Sequence, residues 1–219
     1  MTYHPLIDFF VSAGVPIETV YLLLMLPVIA TLVAFFRQII GIKAFGIYTP
    51  SIITFAFLAF GEKGLKYGIA IFLAVIAVGM LSRYFLRAFR ILYLPRVAIS
   101  LSIVSIVVLF ILAFGGSLHR TGLASVDIFP LLIIITLAEK FVATQIEQGS
   151  KTALILAGET LIISIVGYFI VSLPVLVNFI LTYPWVILLT FAINVALGKW
   201  TGVRLLELIR FRHILSNKN

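Results

Sequence analysis

The sequence predicts an all-α membrane protein, a polytopic bundle of about seven transmembrane helices. Three observations predict it. Only 11% of the 219 residues are charged while 63% are hydrophobic, and the mean hydropathy is +1.24; a soluble domain carries about 25% charged residues and could not hide so much apolar surface. The apolar residues fall into runs near the roughly 17–25 residues that cross a bilayer. The basic residues gather between alternate runs.

The first run, about Glu18 to Phe36, stops at Arg37. The second is short, about Phe45 to Phe60, with Pro50 near its start and a turn at Gly61-Glu62-Lys63-Gly64 after it. The third covers about Tyr67 to Ser82, and the fourth about Val97 to Phe114, between Pro95-Arg96 and Gly115-Gly116. The fifth begins near Ile128-Phe129-Pro130 and stays apolar only to Ala138, where Glu139-Lys140 interrupt it. The sixth, about Thr152 to Leu173, contains Glu159, and the seventh, about Tyr183 to Leu197, lies between Pro184 and Gly198. Residues 1–17 are then a short extracytoplasmic segment, 18–198 the membrane domain and 199–219 a basic cytoplasmic tail. Met1–Pro16 has no basic start and contains Asp8, so the first span is expected to act as an uncleaved signal.

With the N-terminus outside, 13 of the 16 Lys and Arg fall on the cytoplasmic side, leaving only Lys63, Lys66 and Arg120 outside. The expected location is the inner (cytoplasmic) membrane, with the C-terminus in the cytoplasm. A net charge of +8 reflects this loop bias rather than nucleic acid as a partner.

Two short apolar segments begin with proline, at Tyr48-Thr49-Pro50 and Ile128-Phe129-Pro130, and each precedes a helix that begins shortly after Gly-x-Lys (Gly64-Leu65-Lys66 and Gly149-Ser150-Lys151). Residues 45–114 and 128–198 are therefore candidates for inverted three-helix repeats. Short or proline-interrupted helices at matching places in such halves mark transporter binding sites, which makes Thr49, Pro50 and Pro130 pathway candidates.

Glu159 is the deepest charged candidate. Lying eight residues past Lys151, it sits roughly 12 Å into a core about 30 Å thick. It reads as a polar substrate or proton site near Glu139 or Lys140, as a protonated carboxyl bonded to a neighbouring helix, or as the sign of a sixth span that starts later. Glu139, Lys140 and Glu147 read as pathway candidates or as solvated helix-end charges. Arg83, Arg87 and Arg90 follow i, i+4, i+7 spacing and form a basic face, with Arg96 nearby. Such a face suits lipid headgroups or an acidic cytoplasmic partner.

Enzyme chemistry is not expected. The chain has no cysteine, and His4, His119 and His213 fall outside the spans, so neither a cysteine nucleophile nor a histidine metal cluster is available in the membrane. There is no glycine-rich phosphate loop, and no cofactor or metal is expected.

Several ordered motifs carry a resemblance. They are Arg37-Gln38-Ile39-Ile40-Gly41-Ile42-Lys43-x-Phe45-Gly46-x-x-Thr49-Pro50, Leu94-Pro95-Arg96, Phe129-Pro130, Glu139-Lys140-Phe141 and Glu147-x-Gly149. The closing run Thr201-Gly202-x-Arg204-Leu205-x-Glu207-Leu208-x-Arg210-Phe211-Arg212 completes the set. From about Tyr21 to His213 the chain resembles the seven-transmembrane-helix domain usually fused in bacteria to an inactive transglutaminase-like domain. More distantly it is similar to the small multispanning subunit of the poly-γ-glutamate capsule synthesis complex, whose second proline-marked segment ends in residues like Glu147-Gln148-Gly149.

The resemblance implies a non-catalytic membrane subunit beside an ATP-grasp, glutamate-ligase-like enzyme that makes or exports a peptide-like product. A transglutaminase-like extracytoplasmic protein would be a separate chain, and an oligomer is compatible with this role. An autonomous small-solute transporter and a purely structural anchor are the alternatives.

The basic-residue asymmetry generates a topology prediction. Reporter fusions after Gly116 and after Asn219 should read outside and inside respectively; two readings on one side would refute it.

Overall fold

The computed structural model describes residues 4–61, 64–86, 91–117 and 128–200, together with Phe89 and Gly202. These residues form nine α-helices and no strand. They are α1 (Pro5–Ser12), α2 (Ile17–Phe35), α3 (Tyr48–Ala59), α4 (Gly64–Leu86), α5 (Tyr93–Ser117), α6 (Ile128–Glu147), α7 (Ser150–Val171), α8 (Pro174–Thr182) and α9 (Ile187–Gly198).

Proline explains where many of these helices begin. The ring has no N–H, and the first turn of a helix has no use for one. Pro5 and Pro174 open α1 and α8, while Pro50, Pro95 and Pro130 each stand third in α3, α5 and α6. Pro27 alone lies inside a described α-helix, α2. One turn later Thr31 Oγ1 donates to the Pro27 carbonyl at 2.7 Å. Glycines with positive φ end helices: Gly61 (77°) closes α3, and Gly149 (92°) turns α6 into α7.

The chain divides into two compact units. The first comprises residues 44–168, with α3 to α6 and most of α7. Its core holds Phe57, Phe72, Phe141, Ile53, Ile134 and Leu137, all essentially inaccessible, joined by Val104 and Val108 of α5 and Ala153 and Ala157 of α7. Two glycines of α4 make this packing close. A methyl group added at Gly68 would land on the ring of Phe57, and one at Gly79 would come within 3.0 Å of the Phe141 ring. Polar ties cross the same interior: Ser82 Oγ donates to the Gly79 carbonyl at 2.9 Å and pairs with Ser100 Oγ at 3.1 Å.

The other unit, residues 1–43 and 169–219, contains α1, α2, α8 and α9. Ile7, Val20 and Leu181 form its small buried cluster. Asn194 Nδ2 donates to Thr31 Oγ1 at 2.7 Å, and the Tyr21 hydroxyl donates to the Val171 carbonyl. Beyond Phe35 the helix widens into a π-helical turn, Phe36–Ile40, that ends at Gly41.

The all-α polytopic class stands, with a different division of spans. Five helical stretches are long and apolar enough to cross a membrane: Ile17–Ile40, Gly64–Leu86, Tyr93–Phe114, Ile128–Glu147 and Ser150–Val171. The expected second span is the 12-residue α3, about 18 Å long and too short for a core of about 30 Å. The expected seventh, about Tyr183 to Leu197, is the stretch Pro184–Gly198, which meets the preceding helix Pro174–Thr182 at a bend of 101°. Glu139 and Lys140 do not end the fifth, because α6 continues through them to Glu147. The two proline-led helices consequently differ in length, 12 residues in α3 against 20 in α6.

The close packing at Gly68 predicts an asymmetry between glycines. Gly68→Val should lower stability by about 1–3 kcal/mol through overpacking against Phe57. Gly158→Val, at an exposed position with open space around it, should leave stability nearly unchanged. Thermal unfolding in detergent measures both.

Candidate functional site

The site is set by a helix that starts part-way through the membrane domain. The end of α3 adjoins the start of α4, since the Gly61 carbonyl accepts from the Gly64 N–H at 2.8 Å. The far end of α4 is marked by Arg83, whose Nη1 donates to the Gln145 carbonyl and, at 3.0 Å, to Ser150 Oγ. From one end to the other α4 runs 23 residues and α3 only 12. At 1.5 Å per residue, α3 begins about 16 Å short of the Arg83 end.

Two further rulers agree. The Ala44 N–H, just before α3, donates at 2.9 Å to Glu159 Oε2, nine residues and about 13 Å along α7 from Ser150. Tyr48 and Thr49 line a cavity with Lys140, seven residues and about 10 Å back along α6 from Glu147. The start of α3 is therefore recessed about 10–16 Å below the Arg83 end.

Backbone at such a depth cannot leave its N–H groups to the lipid. Two adjacent α7 side chains take them: Glu159 accepts from Ala44, and Thr160 Oγ1 accepts from the Phe45 N–H at 3.0 Å. Ala44 itself holds φ +46, the only positive φ among the described non-glycine residues. Deeper along the seam, the Pro50 carbonyl accepts from Thr54 Oγ1 at 2.9 Å and from Ser164 Oγ at 3.0 Å. Gly167 leaves room for Thr54, as an added methyl there would sit 2.7 Å from Thr54 Oγ1.

The recess holds a cavity of about 140 Å3 between α3 and α6. Its polar wall is Thr49, Thr136, Glu139 and Lys140, and its apolar wall includes Ile52, Ile53 and Leu137. Glu139 and Lys140 are exposed, and Tyr48 is 81% exposed. A second cavity of about 270 Å3 lies at the Arg83 end, among Met80, Arg83, Tyr84, Gln145 and Ser150.

The candidates distribute unevenly over these features. Thr49, Glu139 and Lys140 meet in the recess, while Pro50 and Pro130 are buried in the helices that form its walls. The helices led by these prolines pack out of register, with Thr49 beside Thr136–Lys140, six to ten residues and about 9–15 Å beyond Pro130. Glu159 does not line the cavity with Glu139 and Lys140; its carboxylate supports the segment that leads into α3. Glu147 is exposed at the end of α6. Arg83 faces the second cavity, whereas Arg96 turns back, Nη2 donating to the Ile91 carbonyl at 3.0 Å. Arg87 and Arg90 lie outside the described residues, as does the tail beyond Trp200 except Gly202.

Gln145, Ser150, Thr160 and Ser164 were not read from the sequence. Each is an uncharged polar residue in or beside an apolar run, a composition signal that does not name a partner.

The model of a family described as seven transmembrane helices usually fused to an inactive transglutaminase matches residues 4–215, nearly the whole chain, and the chain belongs to that family. No curated protein and no solved structure matches the chain significantly.

The Glu159 contact predicts an order of stabilities. Glu159→Leu deprives the Ala44 N–H of its acceptor and should cost about 1–3 kcal/mol. Glu159→Gln keeps an acceptor oxygen and should cost less. Equal thermal midpoints for the two variants would contradict this role.

Proposed function

We propose that this membrane domain is a non-catalytic subunit of a peptide- or polyglutamate-type biosynthesis or export system, set in the inner membrane with the Arg83 end toward the cytoplasm. An ATP-grasp ligase-like enzyme would deliver an acidic, amide-linked product at that end. A transglutaminase-like domain or protein would meet it on the other side. The family's description, a membrane domain whose usual fusion partner is inactive, supports a role in holding or passing material rather than transforming it.

One observation carries this reading: the recess at the start of α3, lined by Thr49, Thr136, Glu139 and Lys140. A charged side chain facing acyl chains near mid-bilayer costs roughly 2.5–3.5 kcal/mol, so exposed charges at this depth favour a water-filled pocket or a partner. Lys140 supplies a cation for a carboxylate, and the threonine hydroxyls can donate to or accept from amides. Glu139 beside them disfavours permanent capture of an anion, which suits passage. A half-length helix beginning at a mid-membrane site is the arrangement that transport proteins use to present a polar pathway.

Two measurements test the proposal. Because the chain has no cysteine, Thr136→Cys supplies its only thiol, and a membrane-impermeant maleimide should label it from the cytoplasmic side. Deleting the chain should leave an acidic amide-linked product inside the cell, and Lys140→Gln should reproduce much of that retention with insertion intact. Normal export in the Lys140→Gln cells, with no label at Thr136→Cys, would refute the passage role.

A further inference from the structure

The cavity at the Arg83 end is not used by the recess, and its polar groups are incompletely matched. Arg83 is half-buried in the last turn of α4. Its Nη1 is occupied by the Gln145 carbonyl and Ser150 Oγ, while Nε and Nη2 have no partner among the described residues. Facing them, α7 begins. The N–H groups of Ser150, Lys151 and Thr152 precede its first backbone bond, from the Ala153 N–H to the Gly149 carbonyl at 3.1 Å. No acidic residue stands in that first turn, and Glu147, just before it, is exposed. A guanidinium and an uncapped helix N-terminus together favour an anion.

Gln145 adds an independent observation of opposite polarity. It is only 1% exposed, and its Nε2 donates to Ser150 Oγ at 3.2 Å. Its Oε1 is buried without a hydrogen-bond partner among the described residues. A buried acceptor left unmatched is unfavourable, and a donor from a ligand would recover it. The cavity therefore asks for an anion and an N–H donor a few ångströms apart.

We propose that this cavity binds the terminal carboxylate of an amide-linked amino acid. The carboxylate lies on Arg83 and the α7 N-terminus, and the adjoining amide N–H donates to Gln145 Oε1. A volume of about 270 Å3 suits one terminal residue rather than a folded partner. This site stands apart from the recess and does not rest on the export role: a carboxylate sensor or an anchoring point for a peptide tail would need the same groups.

The test uses the full chain in neutral phosphatidylcholine nanodiscs, titrated with N-acetyl-L-alanine, acetate and inorganic phosphate. N-acetyl-L-alanine carries both the carboxylate and the N–H, and should bind saturably about tenfold tighter than acetate, which lacks the N–H. Gln145→Met should erase that preference while leaving acetate binding in place, and Arg83→Gln should weaken both ligands. The comparison of ligands on the unaltered protein stands even if a variant fails to fold. Equal binding of acetate and N-acetyl-L-alanine, or no saturable binding of either, would overturn the proposal. Tighter binding of phosphate, or displacement of N-acetyl-L-alanine by phosphatidylglycerol in the nanodisc, would overturn it in favour of a lipid headgroup site.

Discussion

A backbone that begins a helix inside an apolar slab must find acceptors for its first N–H groups, and much of the 44–168 unit is organised around meeting that demand. Glu159 and Thr160, consecutive on α7, take the amides of Ala44 and Phe45. Without them, the segment before α3 would leave two peptide groups with neither water nor a helical partner. With them, α3 can start below the surface, and the space above its start becomes a polar recess rather than another turn of helix.

Two different kinds of contact then hold α3. Its seam with α7 is polar: beyond the Glu159 and Thr160 contacts, Ser164 reaches the Pro50 carbonyl and Thr54 fits against Gly167. Such bonds are directional and fix how deep the helix sits. Its contacts with α4 and α6 are apolar, through Phe57, Ile53, Ile134 and Leu137. Dispersion and close fit fix its lateral position but are tolerant of the polar wall left open beside Thr49 and Lys140. A pocket with one polar and one apolar wall needs this division of labour.

Much of the fold was legible because apolar length and proline position are local signals. The runs about Glu18 to Phe36, Tyr67 to Ser82, Val97 to Phe114 and Thr152 to Leu173 became helices near their expected places, and Pro50, Pro95 and Pro130 marked helix starts because the first turn needs no N–H. The site was legible in part. Thr49, Glu139 and Lys140 were singled out separately and meet in one cavity. Glu159 was recognised by depth, yet its partner is a backbone amide 115 positions earlier, a pairing that no spacing rule encodes. The charges at Glu139 and Lys140 read as a helix end because a lipid-facing pair there would be costly. They sit instead within a continuous helix, beside the recess, where exposure does not have to mean lipid.

The two glycine notches of α4 bear on how the 44–168 unit can move. Gly68 and Gly79 are eleven residues apart, close to three full turns, so they lie on one stripe of the helix about 16 Å from each other. One notch seats a ring from α3 and the other a ring from α6. The arrangement is a key with two teeth. Sliding α4 by a single residue would drive a neighbouring side chain into Phe57 and another into Phe141 at once, so α3, α4 and α6 are held in axial register. Widening or narrowing of the recess is left to side-chain rotation at Tyr48 and Lys140, or to tilting of the three helices as one body.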